Sequence, residues 1–262
     1  MKRICFLVDS IFSIGGVQRV TTVIAKELAK VYDVTILSFD NPNTLDTSLY
    51  DLKDANINYR FFAYPSVGSF YNKICKAYSG LYQKYSLQSK WASDIYAYSS
   101  FPTPLRKALT KKLRNGQYDI IIGVHAPLAG RLATMKRDLP DVKCYGWVHN
   151  SFEALFSEGF IYIGAARKRH YVYQFRKLDH TVVLCEHDAE TYHHYDSAFM
   201  PTVIYNPLTL EPGAPSTGKT KSFLAVGRFS RQHKGFDLLI EAFLLFSQNN
   251  QEWTLDIVGE GV

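Results

Sequence analysis

The sequence predicts an α/β fold built on a parallel sheet covered by helices on both faces. Three observations predict it. Apolar runs such as ICFLV (4–8), DIIIGV (119–124) and TVVLC (181–185) are continuous rather than alternating, as in strands buried on both faces. Helix-period stretches fall between them, the order of βαβ units. Glycine or polar turns follow the carboxyl ends of the strands, where ligands gather in such sheets.

The elements follow in order. ICFLV is the first strand. A Gly15-Gly16 turn leads to a helix from about Val17 to Lys30, with Val20, Val23, Ile24 and Leu28 on one side. VTILSF (34–39) and INYRFF (57–62) are strands, followed by helical stretches over 69–89 and 103–115. DIIIGV is a strand, then comes a helix from about Leu128 to Lys136. KCYGWV (143–148) is a strand ending at His149. A helical region over 165–178, the strand TVVLC and a helix near Asp188 to Tyr195 complete a first domain, 1–205. NPLTLEPGAPSTGKTKS (206–222) is rich in proline, glycine and hydroxyl residues and reads as a linker. A strand–turn–helix–strand unit, 223–262, opens a second domain. It has about two strands, whereas open α/β sheets usually have about four to six.

The 262 residues are 47% hydrophobic, enough for a sizeable core, and carry a formal charge of +6. That excess suits anionic partners such as nucleotide phosphates or an anionic membrane. No nucleic-acid module accompanies it, so nucleic acid is not an expected partner. The cysteines Cys5, Cys75, Cys144 and Cys185 are far apart without a CxxC pair, which fits reduced thiols in a cytoplasmic protein. The apolar run after Met1-Lys2-Arg3 ends at Asp9, too short for a signal peptide. No stretch is long enough to span a membrane.

Two stretches offer phosphate chemistry. Gly213 to Thr220 (GAPSTGKT) matches the P-loop pattern letter for letter. A P-loop needs a strand before it and a helix after it. Here Pro207 and Pro212 precede and the strand SFLAVG follows, so a polar linker is the better reading. VGRFSRQHKGFDLLIEAF (226–243) has the context the first lacks: strand, glycine, cationic loop, helix start. Helix N-termini attract phosphate through free N–H groups and the dipole. Arg228 can fork onto phosphate oxygens, Lys234 adds a point charge, and Gly227 and Gly235 admit close backbone approach. A βα loop with two solvated cations is the plain alternative.

Three further candidates lie at strand ends. His149 and His125 each follow a strand, and Glu153 comes just after His149. Hydrogen-bonded structural histidines and a helix-start acid are the competing readings. His187, Asp188, His193 and His194 are scattered around a helix without a cysteine cluster and read as a solvated face rather than a metal site. Over 70–115, lysines and arginines interleave with aromatics in YNKICKAYSGLYQKYSLQSKW and PLRKALTKKLR. Such helices suit peripheral contact with anionic lipid, at the inner face of the membrane.

VGRFSRQHKGFDLLIEAF followed by WTLDIVGEG resembles the start of the nucleotide-binding domain of family 4 glycosyltransferases, retaining enzymes of the two-Rossmann GT-B fold. SIGGVQRV resembles that family's glycine-rich loop, WVHN a strand end with a cleft-facing histidine, VVLCEHDAETY the end of its first domain, and VIYNPL the crossing into the second. The resemblance implies transfer of a sugar from a nucleotide-diphosphate donor to a hydroxyl acceptor, of polysaccharide or glycolipid type, without a metal or other cofactor. Arg228 and Lys234 would neutralise the leaving diphosphate, His149 would lie near the donor sugar, and Gly15 and Gly16 would admit the donor phosphate or acceptor. Gln18 stands where many members carry Glu, and the Arg228–Lys234 spacing is one residue longer than in many. The family's paired glutamates, which hold ribose and donor sugar, lie downstream of VGEG. This chain stops before them, so the resemblance implies a truncation within the second domain and no transfer by this chain alone. An accessory role, binding acceptor or membrane without catalysis, is the alternative.

Overall fold

A computed structural model describes residues 1–261 apart from 45, 47, 88, 158–161, 216 and 231–233. The chain divides into two units, Met1–Thr209 and Leu210–Val262.

In the first unit seven strands, all parallel, run in the order β3-β2-β1-β4-β5-β6-β7. They are β1 (Arg3–Val8), β2 (Asp33–Ser38), β3 (Ile57–Phe61), β4 (Ile120–Val124), β5 (Lys143–Trp147), β6 (His180–Val183) and β7 (Thr202–Val203). Continuous apolar runs end in the middle of this sheet because both faces are covered. Cys5, Leu7, Ile121 and Cys144 pack into one core with α5 (Ala126–Met135), α7 (Lys168–Phe175) and α8 (Glu186–Tyr195). Ile4, Phe6, Val8 and Ile36 pack into a second with α1 (Gly16–Ala29).

The connection from β3 to β4 carries three helices where two are expected. The stretch read as one helix over 69–89 stops at Tyr85: α2 is Ser69–Tyr85, and Ser86 turns left-handed with φ 45°. Ser89 then caps α3 (Lys90–Ser100), its hydroxyl accepting from the Ala92 N–H at 3.1 Å. α4 (Thr103–Gly116) follows. A short helix, α6 (Phe152–Phe156), follows β5.

The second unit pairs β8 (Ser222–Val226) with β9 (Thr254–Val258) in parallel, joined through α9 (Phe236–Ser247). Phe223 packs against Phe243, Phe246 and Trp253 at ring separations of 6.3, 5.5 and 4.9 Å. The GAPSTGKT stretch has no regular structure at its described residues, and β8 follows directly. Ser216 lies outside the described residues. A P-loop's helix is therefore absent from its required place.

Candidate functional site

Strand order in the first unit reverses between β1 and β4. Ligands in open α/β sheets bind outside the carboxyl ends of the strands at such a switch point. His125 follows β4 immediately, and His149 lies two residues beyond β5. Their rings are 5.9 Å apart, and His149 lies 4.3 Å from the Trp147 ring. The His125 N–H donates to the Trp147 carbonyl at 2.9 Å, tying the two strand ends together. Its carbonyl accepts from Ala129 at 2.9 Å and opens α5. Doing both forces His125 to φ 77°, ψ 148°, a region that favours glycine.

Burial keeps both imidazoles uncharged. It lowers the His149 pKa to about 3, with the neighbouring His125 adding to the effect. It lowers that of His125 as well, partly offset by Asp9. Trp147 Nε1, His149 Nε2 and Asn150 Oδ1 are buried without a hydrogen-bond partner among the described residues. A buried polar atom without a partner is costly. Three such atoms cluster within four residues at this strand end.

Gly15 and Gly16 lie between β1 and α1. The Gly15 N–H donates to the Tyr50 hydroxyl at 2.9 Å, and that hydroxyl lies 3.1 Å from the Ser13 carbonyl and 3.2 Å from the Gly15 carbonyl. Tyr50 thus pins the glycine loop, and Lys26 Nζ donates to the Tyr50 carbonyl at 2.5 Å. Nothing in the sequence marked Tyr50. It lies in an irregular stretch where Tyr50 and Asp51 have φ 60° and 52°.

Glu153 sits in the first turn of α6 and meets His187 Nε2 at 3.6 Å. Asp188 corrects the reading of α8 as a solvated face. It is 4% exposed, accepting from the Phe152 N–H at 2.9 Å and from the Cys185 thiol at 3.4 Å. It ties α8 to the start of α6. His193 Nδ1 is 3.2 Å from the Phe199 carbonyl. Among the described residues, no group of three or more His, Cys, Asp or Glu is placed to hold a metal ion.

In the second unit the loop after β8 is fixed to the segment after β9. Gly227 donates to the Val258 carbonyl at 3.0 Å and Phe229 to the Glu260 carbonyl at 2.8 Å. The backbones approach so closely that a Cβ at Gly259 would lie 1.8 Å from the Gly227 oxygen. The Lys234 stem runs within 3.7 Å of the position a Gly227 Cβ would take. Gly235, at φ 59°, opens α9. Arg228 and Lys234 are exposed, and neither is paired with a carboxylate among the described residues. Residues 231–233 of this loop lie outside the described residues. Gly227, Lys234 and Gly235 come together at the amino end of α9, a geometry suited to an anion.

Solved structures with this fold include a mutant of S. aureus TarM in complex with Fondaparinux, alpha-GlcNAc-glycerol and UDP. It is 11% identical, with a TM-score of 0.63, and the alignment covers 100% of this chain and 73% of that one. Anabaena HepE in complex with UDP and glucose is 18% identical, with a TM-score of 0.62 and coverage of 100% and 62%. A UDP-forming alpha,alpha-trehalose-phosphate synthase from Burkholderia vietnamiensis is 11% identical, with a TM-score of 0.58 and coverage of 100% and 65%. At these identities the likeness shows the fold, an α/β architecture of GT-B type. No curated protein matches this chain in sequence. The family described as Glycosyltransferase Family 4 matches residues 14–211, most of the chain. The chain belongs to Glycosyltransferase Family 4.

Proposed function

We propose that the protein takes part in transferring a sugar from a nucleoside-diphosphate donor to a hydroxyl acceptor, with retention of configuration. The observation that carries this reading is the pair of neutral histidines at the ends of β4 and β5, beside the switch point. A neutral imidazole can hydrogen-bond a sugar hydroxyl without placing a second positive charge beside an oxocarbenium-like centre. His149 is the group assigned to the sugar, with Gly15 and Gly16 admitting donor phosphate or acceptor. Arg228 and Lys234 are assigned to the diphosphate. Charge leaves with that group, so donors aimed at its oxygens lower the barrier. The departing diphosphate takes the acceptor's proton, and no metal enters the scheme.

The acceptor is assigned to a polysaccharide or glycolipid held near an anionic membrane. Phe70, Ile74, Leu81 and Tyr85 recur at helical spacing on α2 and are 78, 51, 51 and 62% exposed. Lys73 and Lys84 flank them, and Trp91, 70% exposed, stands beside Lys90 at the start of α3. An apolar stripe edged with lysine suits a headgroup interface. No helix among the described residues is long and apolar enough to cross a membrane.

The test is calorimetric titration with UDP and UDP-glucose in the absence of magnesium. UDP-glucose should bind more tightly than UDP, and His149→Ala should erase the difference in a chain that still melts cooperatively. A preference for UDP-glucose that persists undiminished in the variant removes His149 from the sugar. Binding of Mg-ATP in place of either would replace the reading altogether.

A further inference from the structure

A cavity of about 560 Å³ lies in the first unit between α2, α3, α4, α5 and α7. Its wall carries three cations, Lys76, Arg131 and Arg167, and no carboxylate. None of the three is ion-paired among the described residues. Arg131 is steered by rings: its guanidinium carbon lies 5.6 Å from the Phe101 centroid and 6.0 Å from that of Tyr64, and Nη1 is 3.4 Å from the Tyr64 hydroxyl. Arg167 is anchored through Nε, which donates to the Ile163 carbonyl at 2.5 Å, and its guanidinium also hydrogen-bonds the Tyr96 side chain. Lys76 is exposed at the rim.

The remaining wall is aromatic and hydroxylic. Tyr96 and Phe101 are buried and Tyr171 is half-buried, while Ser79 and Ser99 join each other across the α2–α3 contact at 2.9 Å. His170 is 4% exposed, with Nδ1 2.9 Å from the Ser93 hydroxyl, and burial lowers its pKa to about 3. It adds no charge near neutrality. Two half-buried guanidinium groups and a lysine without a compensating acid form a receptor for a compact anion. Tyr171, half-buried on this wall, gives the apolar face of a sugar ring something to cover.

We propose that this cavity binds a phosphorylated sugar, with the phosphate on Arg131, Arg167 and Lys76 and the ring beside Tyr171. The proposal concerns binding alone and does not rest on the transfer reaction. The phosphate can come from a free sugar phosphate or from an inositol-phosphate lipid headgroup, which presents the same chemistry.

The full chain is titrated with glucose, glucose 6-phosphate and inorganic phosphate, and separately with vesicles containing phosphatidylinositol phosphate. Glucose 6-phosphate should bind more tightly than glucose or phosphate. Arg131→Gln and Lys76→Gln should each weaken it by about tenfold, the loss of one charge-assisted contact. Arg131→Lys, which keeps the charge but not the fork, should lie between. Lys76 is exposed, so its variant reads the site without risk to the fold. Saturation by the soluble compound assigns a free ligand. Saturation only by the vesicles, lost in the same variants, assigns the lipid headgroup. Equal affinity for glucose and glucose 6-phosphate, or vesicle binding indifferent to Arg131 and Lys76, overturns the proposal.

Discussion

The two units repeat the same local order of strand, turn and helix, yet differ in how deeply that order is buried. In the first, seven strands are covered on both faces and their central residues are almost fully buried. In the second, two strands meet one helix, and no residue of α9 is buried. Leu224, Val226 and Val258, on the sheet face away from Phe223, are 67, 71 and 54% exposed, and Leu238, Leu244 and Leu245 on α9 are 68, 60 and 69% exposed. Hydrophobic stabilisation scales with area removed from water. The same motif therefore buries far more of its apolar surface in one unit than in the other.

The difference extends to the turns that open the helices. His125 and Gly235 occupy equivalent places, each before a helix and each at positive φ, 77° and 59°. Only the first unit uses a side chain there. A strained non-glycine residue persists where its surroundings over-determine it, and His125 is held by the Trp147 carbonyl and α5. The sites differ likewise. The histidines are half-buried and uncharged, while Arg228 and Lys234 are exposed, so binding there should weaken with salt.

The largest expected effect breaks the comparison at its core. Phe175 is 1% exposed and packs against Tyr171 and Tyr192. Phe175→Ala should cost about 3–5 kcal/mol. Phe243→Ala, in the thinly covered unit, should cost about 1 kcal/mol, since little of its surroundings is dry. Denaturant unfolding of both variants measures this. Equal costs would show that the second unit is as well packed as the first.

Acid should narrow the gap. His149 and His170 each have a pKa near 3 in the folded first unit against an ordinary 6.5. As pH falls from 6.5 toward 3, the unfolded chain takes up protons that the folded unit refuses, so stability is full above 6.5 and declines through that window. The second unit's one histidine, His233, lies outside the described residues. Stability curves at stepwise lower pH should show a loss that shrinks in His170→Asn. An unchanged slope would mean that burial of the ring is not the cause.

The smallest effect concerns the turns. His125→Gly should be more stable than His125→Ala by about 1 kcal/mol, because only glycine relieves the strain. Gly235→Ala should be less stable than wild type by about 1 kcal/mol. The opposite order at position 125 would remove strain from the description of this site.

The sheet was legible because strands buried on both faces leave an unbroken apolar signal. His125 and His149 were visible as strand ends, but their proximity depends on β4 and β5 being neighbours, which is a matter of topology. Other features had no local signal. The break at Ser86 is a single left-handed residue inside a helix-period pattern. Tyr50 reaches Gly15 across 35 residues through an irregular turn. Asp188 looks like an exposed helix-start acid, and only the neighbouring α6 makes it a buried cap. β7 has two residues, too few for periodicity to register.

The most direct measurement is phosphorus NMR of UDP-glucose titrated with the full chain, with chelator present. Broadening or shift of the diphosphate resonances is expected, weakened by salt and by Arg228→Gln and Lys234→Gln. Resonances that respond only when magnesium is added, or that respond as strongly in both variants as in the wild type, would contradict the assignment of the diphosphate to this loop.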